Sequence, residues 1–410
     1  MNILYIASVF PTPKEGSNLY TDLAEELIEK GNKVTVVVSE ERQKIDKTQM
    51  QEERNIKVLR VKTGNLYDVS LYEKAISFIT LQTKLKNAIK EYLSNEKFDL
   101  IIFMSPPVTL YSVVQFAMKK YNCISYLMQK DIFPQNALDL GLMTKMNPSY
   151  WYFKHKEKEL YKTSTVIGCM SNANKEYLLE NNKYLNSNKV QIFPNTIKIN
   201  KVNSNIKSKL TIREKYNIPK EKIIAVYGGN FGRAQGIDFL IQVLNEYKNN
   251  NKIMFILYGR GTEKNRLINT AKQNNIKNVI IKDYASENEY SKLLQEADIG
   301  LVFLDYRFTI PNIPSRTLAY FKYGIPIMAA TDKKTDYKKL IEQQSKSGLW
   351  CESNNIKEFK NKFNFLIENK EEREKMGKRG RKYLENNLTT DISVEILQNT
   401  FDKLKGGKNV

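Results

Sequence analysis

The residues of this 410-residue chain best equipped for chemistry are arginines set among glycines. Arg233 lies in Gly228-Gly229-Asn230-Phe231-Gly232-Arg233-Ala234-Gln235-Gly236. Glycines let a backbone approach a phosphate closely, and a guanidinium offers a planar fork of donors. The stretch is not a P-loop, because no Gly-Lys-Ser/Thr follows, and its glycine spacing is not that of a dinucleotide fingerprint. Taken alone, a tight strand-to-helix turn explains it too. Arg260 repeats the arrangement within Tyr258-Gly259-Arg260-Gly261. Tyr284, in the run from Lys282 to Ala285, could stack on a base, and plain local packing explains the ring equally well. Pro314, Ser315, Arg316 and Thr317 complete the set. The Ser315 hydroxyl suits a helix N-cap, amides at a helix start suit an anion, and Arg316 adds a cation. Together these loops fit a phosphorylated nucleotide. Lys130 and Asp131 stand apart from them. A carboxylate there could serve as a base or hold sugar hydroxyls, and a turn residue ahead of Phe133-Pro134 is the plainer alternative.

Each of these residues follows a short apolar run, which is what a parallel sheet requires. Asn2 to Ala7 reads as a strand, Leu19 to Lys30 as a helix, and Lys33 to Ser39 as a second strand, a βαβ unit. Further strands are expected at 57–61, 98–104, 123–129, 165–170 and 189–193. Tyr72 to Leu93 has apolar residues at four-residue spacing and reads as an amphipathic helix with interleaved lysines. Residues 199–219 are polar and read as a linker. Alternation then restarts, with strands at 222–227, 252–258, 279–282, 299–304 and 325–330. Gly324 marks the end of a short helix before the last of these. The result is two Rossmann-like α/β domains. Ligands of such sheets sit beyond the carboxyl ends of the strands, and in a two-domain version the cleft between the domains is the expected site.

Composition narrows the reading. The chain is too long for one typical core, and 41% hydrophobic content is ample for two. No apolar run reaches the ~18 residues of a membrane span. MNILYIASVF reads as a first strand rather than a signal peptide. Cys123, Cys169 and Cys351 show neither disulfide nor zinc spacing, which fits a reducing, cytoplasmic setting. His155 is the single histidine and lies on a polar helix face in WYFKHKEKEL, which argues against a histidine metal centre or a Ser-His-Asp triad. The net charge of +20 implies anionic company, although a lysine-rich solvated surface accounts for part of it.

The motifs FPTPKEGSN (10–18), KDIFPQNALDLG (130–141), IFPNTI (192–197), YGGNFGRAQGIDFLI (227–241), YGRGTE (258–263), IPSRTLAYFKYGIPIMAA (313–330) and MGKRGRKYLENN (376–387) run over nearly the whole chain. They resemble glycosyltransferase family 4, in particular bacterial transferases of capsule and O-antigen synthesis. The resemblance implies the GT-B fold: two Rossmann-like domains, residues 1–200 and 201–388, a deep interdomain cleft, and a C-terminal helix (389–410) returning to the first domain. It implies a retaining hexosyltransferase that uses a nucleotide sugar, by expectation a UDP-sugar, and a polyprenyl-linked saccharide acceptor. Gly16, Gly229, Asn230, Gly232, Arg233, Gln235, Arg260, Tyr284, Pro314, Ser315, Arg316 and Thr317 would bind the donor. Lys130 and Asp131 would bind the acceptor, and Asp131 and Arg233 would stand at the reacting centre. No metal or cofactor is expected, and no nucleic acid partner. The setting would be the inner face of the cell membrane, bound peripherally to an anionic surface. The chain also departs from the pattern. Two glutamates are expected at Pro311 and Ala319, a lysine at Gln235, a second glycine at Ser17, and a histidine near 130–131. Two other readings therefore stay open: a degenerate, non-catalytic nucleotide-sugar-binding protein, and an epimerase of the same fold.

Overall fold

The computed structural model describes residues 1–65, 70–199, 210–283 and 286–406. It divides into two units, Met1–Lys198 with Thr390–Val410, and Ile199–Thr389. Each is built on its own sheet. In the first unit the strands are β1 (Asn2–Ala7), β2 (Lys33–Glu41), β3 (Gln49–Glu53), β4 (Ile56–Thr63), β5 (Leu100–Ser105), β6 (Ile124–Gln129), β7 (Val166–Cys169) and β8 (Val190–Ile192). In the second they are β9 (Ile223–Gly228), β10 (Ile253–Tyr258), β11 (Val279–Lys282), β12 (Ile299–Phe303), β13 (Ile327–Thr331) and β14 (Gly348–Glu352).

The first sheet has the order β3-β4-β2-β1-β5-β6-β7-β8, the second β11-β10-β9-β12-β13-β14. Every pairing is parallel except β3 with β4. β5, β9, β12 and β13 are buried along their whole length. That is the pattern of strands covered by helices on both faces, and it explains why their apolar runs are unbroken. β3 is the exception: QMQEE has a single apolar residue, Met50, and forms the antiparallel edge, so no apolar run announces it. The order reverses at β1/β5 in the first sheet and at β9/β12 in the second. These are the switch points where an open α/β sheet leaves room for a ligand.

The first helix, Leu19–Glu29, starts from a capping box between Asn18 and Thr21 and buries Leu23, Ala24 and Leu27 against β1 and β2. The C-terminal helix, Thr390–Gly406, belongs to this first unit. Val394, Leu397 and Phe401 enter its core, Thr196 and Ser393 hydroxyls lie 2.7 Å apart, and Gln191 Nε2 donates to Thr400 Oγ1 at 2.9 Å. In the second unit the helix Ile237–Glu246 packs Phe239, Leu240, Val243 and Leu244 into a core shared with Phe303, Phe359 and Phe363.

The expected linker is shorter than its composition suggests. Residues 211–218 fold onto the second unit: Ile212 and Ile218 are buried, and the Ile212 and Arg213 amides donate to the Glu296 carboxylate at 2.7 and 3.1 Å. The polar stretch hid this because only two of its side chains carry the packing.

Candidate functional site

The second unit gathers its expected residues at the carboxyl ends of β9, β10 and β12. The glycine loop after β9 lies against the loop after β10. Gly229 N donates to Tyr258 O at 2.9 Å, Phe231 N to Arg260 O at 2.8 Å, and Glu263 N to Phe231 O at 2.8 Å. Glycines are obligatory in this double loop. A Cβ on Gly259 would sit 1.8 Å from Gly229 O, and one on Gly261, at φ +154°, would sit 2.3 Å from Asn230 Oδ1. The loop then crosses the switch point: Asp305 N donates to Ala234 O at 3.1 Å. Gly236, at φ +57°, would drive a Cβ to 2.9 Å from Leu304 O.

Arg316 reaches this crossing from the start of the helix Arg316–Lys322. Its guanidinium carbon lies 4.2 Å from the centroid of the Tyr227 ring, and Nη2 donates to Gln235 Oε1. Nη1 is buried without a hydrogen-bond partner. Among the described residues no carboxylate lies within ion-pair distance of it. A cation and a free donor held in a tyrosine-lined recess describe an anion site. The recess is made by Tyr227, Tyr290 and Tyr320. A Cβ on Gly228 would strike the Tyr290 hydroxyl at 2.0 Å, and Tyr320 OH bonds the Val226 and Leu301 carbonyls, both at 3.1 Å. Burial pushes the Tyr290 phenol up to about 12, against the pull of Arg316. Tyr290 is thus a neutral donor at any physiological pH.

Arg233 lies in the short 3-10 turn Arg233–Gln235, its side chain 57% exposed and its Nε 3.4 Å from Glu263 Oε1. Glu263 also takes Arg266 Nη1 at 3.0 Å. It holds Arg233 to one side while leaving the guanidinium face open. Asn230 and Arg260 are exposed at the loop tips, with Arg260 Nε 3.8 Å from Asp283. Tyr284 lies outside the described residues.

Two expectations fail in the fourth loop. Ser315 does not cap: its backbone is already helical (φ −62°, ψ −24°) and its hydroxyl makes no cap bond. A capping side chain needs an extended backbone to fold back over the first turn. Nor does the helix start offer the Thr317 and Leu318 amides to an anion, since they are taken by the Pro314 and Ser315 carbonyls. The Thr317 hydroxyl is buried 2.6 Å from Tyr337 OH. Pro314 is buried, so Arg316 is the chemically equipped member of the group. The tyrosines and Glu263 were not foreseen. Their one signal is position, Tyr227 directly before the glycine pair and Glu263 closing YGRGTE.

In the first unit, Lys130 and Asp131 follow β6. Their amides donate to Ser105 O at 3.2 and 3.3 Å, beside the switch point. Lys130 is buried, with Nζ donating to Asn195 Oδ1 at 2.7 Å and lying 5.7 Å above the Phe193 ring. Burial lowers its amine to about 7, and the nearby Asp131 charge opposes the fall only in part. Asp131 is half-buried and close enough to Tyr20 to raise that phenol further beyond what burial does. Gly16, at φ +105°, closes the loop after β1, and its carbonyl accepts from Arg54. His155 is exposed on its helix, as expected, and among the described residues no group of His, Cys, Asp and Glu could hold a metal.

Residues 208–383 match the family described as Glycosyl transferases group 1. The chain is 23% identical over 258 residues to an uncharacterized glycosyltransferase of Methanocaldococcus jannaschii, covering 62% of this chain and 63% of that protein. It is 30% identical over 130 residues to the O-antigen biosynthesis glycosyltransferase WclY of Escherichia coli, covering 30% of this chain and 32% of WclY. The aligned part thus spans less than two thirds of these relatives' own lengths. Solved structures align almost end to end. Sucrose-phosphate synthase from Thermosynechococcus elongatus gives a TM-score of 0.76 at 13% identity, covering 99% of this chain and all of that one. The Anabaena protein HepE in complex with UDP gives 0.67 at 14% identity, with 98% and 100% covered. At such identities the likeness speaks for the fold. The fold is GT-B, two parallel-sheet α/β units, and the match to the glycosyl transferases group 1 model falls on the second.

Proposed function

We propose that the protein is a retaining glycosyltransferase that moves a hexose from a UDP-sugar to a polyprenyl-linked saccharide in bacterial surface polysaccharide synthesis, capsule or O-antigen. The observation that carries this reading is Arg316, a half-buried arginine whose Nη1 is buried and unused beside the glycine loop at the switch point of the second sheet. A diphosphate placed there would take Nη1 of Arg316, the open face of Arg233 and the loop amides. The UDP complex of HepE supports a uridine donor, and the name of WclY supports a surface-polysaccharide acceptor. The acceptor would meet Lys130 and Asp131 in the first unit, with the chain resting peripherally on the cytoplasmic face of an anionic membrane.

In the reaction the bond between the anomeric carbon and the β-phosphate oxygen breaks. The acceptor oxygen forms its new bond on the same face, and its proton passes to an oxygen of the departing diphosphate. Such a step depends on stabilising negative charge on the leaving group more than on a strong base. Arg233 and Arg316 would supply that charge without a metal, and Asp131 would orient the acceptor hydroxyl.

Thermal shift against UDP-, ADP-, GDP- and CMP-sugars tests the donor half. A ligand present at a hundred times its Kd stabilises the native state by about 2.7 kcal/mol, a readily measured rise in Tm. A rise with UDP-sugars is expected, and no response to any nucleotide sugar overturns the reading. Turnover with a polyprenyl-diphosphate saccharide, with the anomeric configuration of the product read by NMR, tests the rest. Binding without turnover on any lipid-linked acceptor would favour a non-catalytic tether instead.

A further inference from the structure

Two arginines of the β3–β4 hairpin hold the loop that leaves β1. The hairpin turns on Arg54 and Asn55, between Glu53 and Ile56, which pair across the strands. Both turn residues are left-handed, at φ +54° and +59°. Turns of this kind favour Asn or Asp followed by Gly, because most side chains are strained at positive φ. An arginine in the first position therefore costs stability. Arg54 also leaves its Nε buried without a hydrogen-bond partner, which is a second cost. A residue kept in spite of both is kept for what its other atoms do.

Those atoms reach the loop. Nη2 donates to Gly16 O and lies 3.5 Å from Thr12 O, while Nη1 pairs with Glu25 at 2.8 Å. Glu25 stands in the helix Leu19–Glu29, and Gly16 comes two residues before its N-cap, Asn18. One guanidinium thus ties the helix to the loop that leads into it. Arg60 of β4 holds the other end of the loop. It is 2% exposed, and its Nη2 donates to Phe10 O at 3.0 Å. Its Nε and Nη2 grip the two oxygens of Glu53 at 2.7 and 2.8 Å, and Nη1 donates to Glu40. Such forks fix the plane of a guanidinium as well as its place. Inside the loop, the Thr12 amide and hydroxyl both donate to Glu15 Oε2, at 2.8 and 2.9 Å, and Glu15 N donates to Thr12 O at 3.0 Å.

The clamped loop runs beside the switch point of the first sheet. Ser8 Oγ donates to Pro106 O at 3.2 Å, from the end of β1 to the loop after β5. Tyr20, in the first turn of the helix, stands close enough to Asp131 to feel its charge. A shift of Gly16 would carry the helix start, and Tyr20 with it, relative to Asp131.

We propose that Arg54 is a positioning residue: by holding Gly16 O and Glu25 together it sets the loop after β1 and the start of the helix Leu19–Glu29 against Asp131. Its part in turnover rests on the function proposed above, in which Asp131 orients the acceptor hydroxyl.

The test compares wild type, Arg54→Gly and Arg54→Lys as full chains. Glycine suits the left-handed turn and removes the guanidinium, so Tm should stay within about 3 °C of wild type. Two readouts are taken. One is hydrogen exchange of the amides of residues 10–20 without ligand. The other is turnover of a UDP-sugar with a polyprenyl-diphosphate saccharide. Arg54→Gly is expected to speed exchange in that segment about tenfold, the scale of one charge-assisted hydrogen bond. Its kcat should fall about tenfold or more, the scale of a misplaced reacting group, while KM for the UDP-sugar changes less than about twofold. Arg54→Lys keeps the charge and a donor and should recover part of both losses. Unchanged exchange in Arg54→Gly overturns the clamp. Faster exchange with unchanged kcat overturns the positioning role. A large fall in Tm in both variants also overturns it, by making Arg54 a stability element. A wild-type chain that turns over no UDP-sugar counts against the function proposed above, and exchange then decides the clamp by itself.

Discussion

Replacing Lys130 by methionine tests the unusual state of that amine. An exposed lysine titrates at 10.5, and burial lowers this one to about 7. Well above pH 10.5, both the folded and the unfolded chain hold it neutral. As pH falls, the unfolded chain takes up a proton near 10.5, while the folded chain takes none until about 7. The unfolded state binds more protons across that window, so native stability falls as pH drops through it and levels off below 7. Each pH unit is worth about 1.36 kcal/mol, and the penalty grows by about 3 kcal/mol between pH 9.5 and pH 7. Methionine fills the same space and carries no proton. The substitution also removes the bond to Asn195 Oδ1, 2.7 Å away, but that loss is the same at both pH values. The assay is urea unfolding of both proteins at pH 7 and 9.5, with Trp151 reporting on the same unit. Relative to wild type, Lys130→Met is expected to gain about 3 kcal/mol at pH 7 compared with pH 9.5. An identical difference at the two pH values refutes the reasoning and returns Lys130 to an ordinary solvated cation.

Two further substitutions probe the second unit. Arg233→Ala should weaken UDP-sugar binding by about tenfold to a hundredfold in calorimetry, the scale of one or two charge-assisted hydrogen bonds. Because the side chain is 57% exposed, Tm should barely change, and full affinity would exclude a phosphate role. Gly261→Ala puts a Cβ 2.3 Å from Asn230 Oδ1 and 2.5 Å from the Phe231 carbonyl carbon, at φ +154°. It should cost about 2 kcal/mol or more and move the Arg233 loop, lowering Tm and donor affinity together. Gly406→Ala, with nothing within 4 Å, is the control that should change neither.

The parallel strands were readable because burial on both faces leaves unbroken apolar runs, as in IIAVYG and IGLVF. β3 was not, since an antiparallel edge of Gln and Glu has no such signature. The glycine loops after β9 and β10 were legible as tight turns because their backbone geometry admits little else. Side-chain direction was not. Nothing in PSRT tells that Ser315 is already helical, that Thr317 turns its hydroxyl to Tyr337, or that Arg316 lies on the Tyr227 ring. Burial of Lys130 was equally hidden, because it depends on Phe193 and Asn195, which come more than sixty residues later and from a different strand end.

The departures from the family pattern take on a physical meaning at the switch point. A lysine is expected at position 235 and glutamine stands there. Alone, that replacement removes a cation from the phosphate loop. Gln235, however, accepts from Nη2 of Arg316, whose guanidinium arrives from the opposite side of the switch on a different helix. An amide can accept that bond, and an ammonium could not. A lysine at 235 would instead face a second, weakly solvated cation over the Tyr227 ring, at the cost of like-charge repulsion. Gln235 and Arg316 therefore read as one unit, with the charge relocated from the loop to the helix start. Nη1, the donor left over by this arrangement, is the group on which the proposed donor binding rests. On this reasoning Gln235→Lys alone weakens donor binding, while Gln235→Lys with Arg316→Gln recovers part of it. Calorimetry on the two variants and on Arg316→Gln would give a coupling energy on the order of 1–2 kcal/mol, and strict additivity would separate the two residues again.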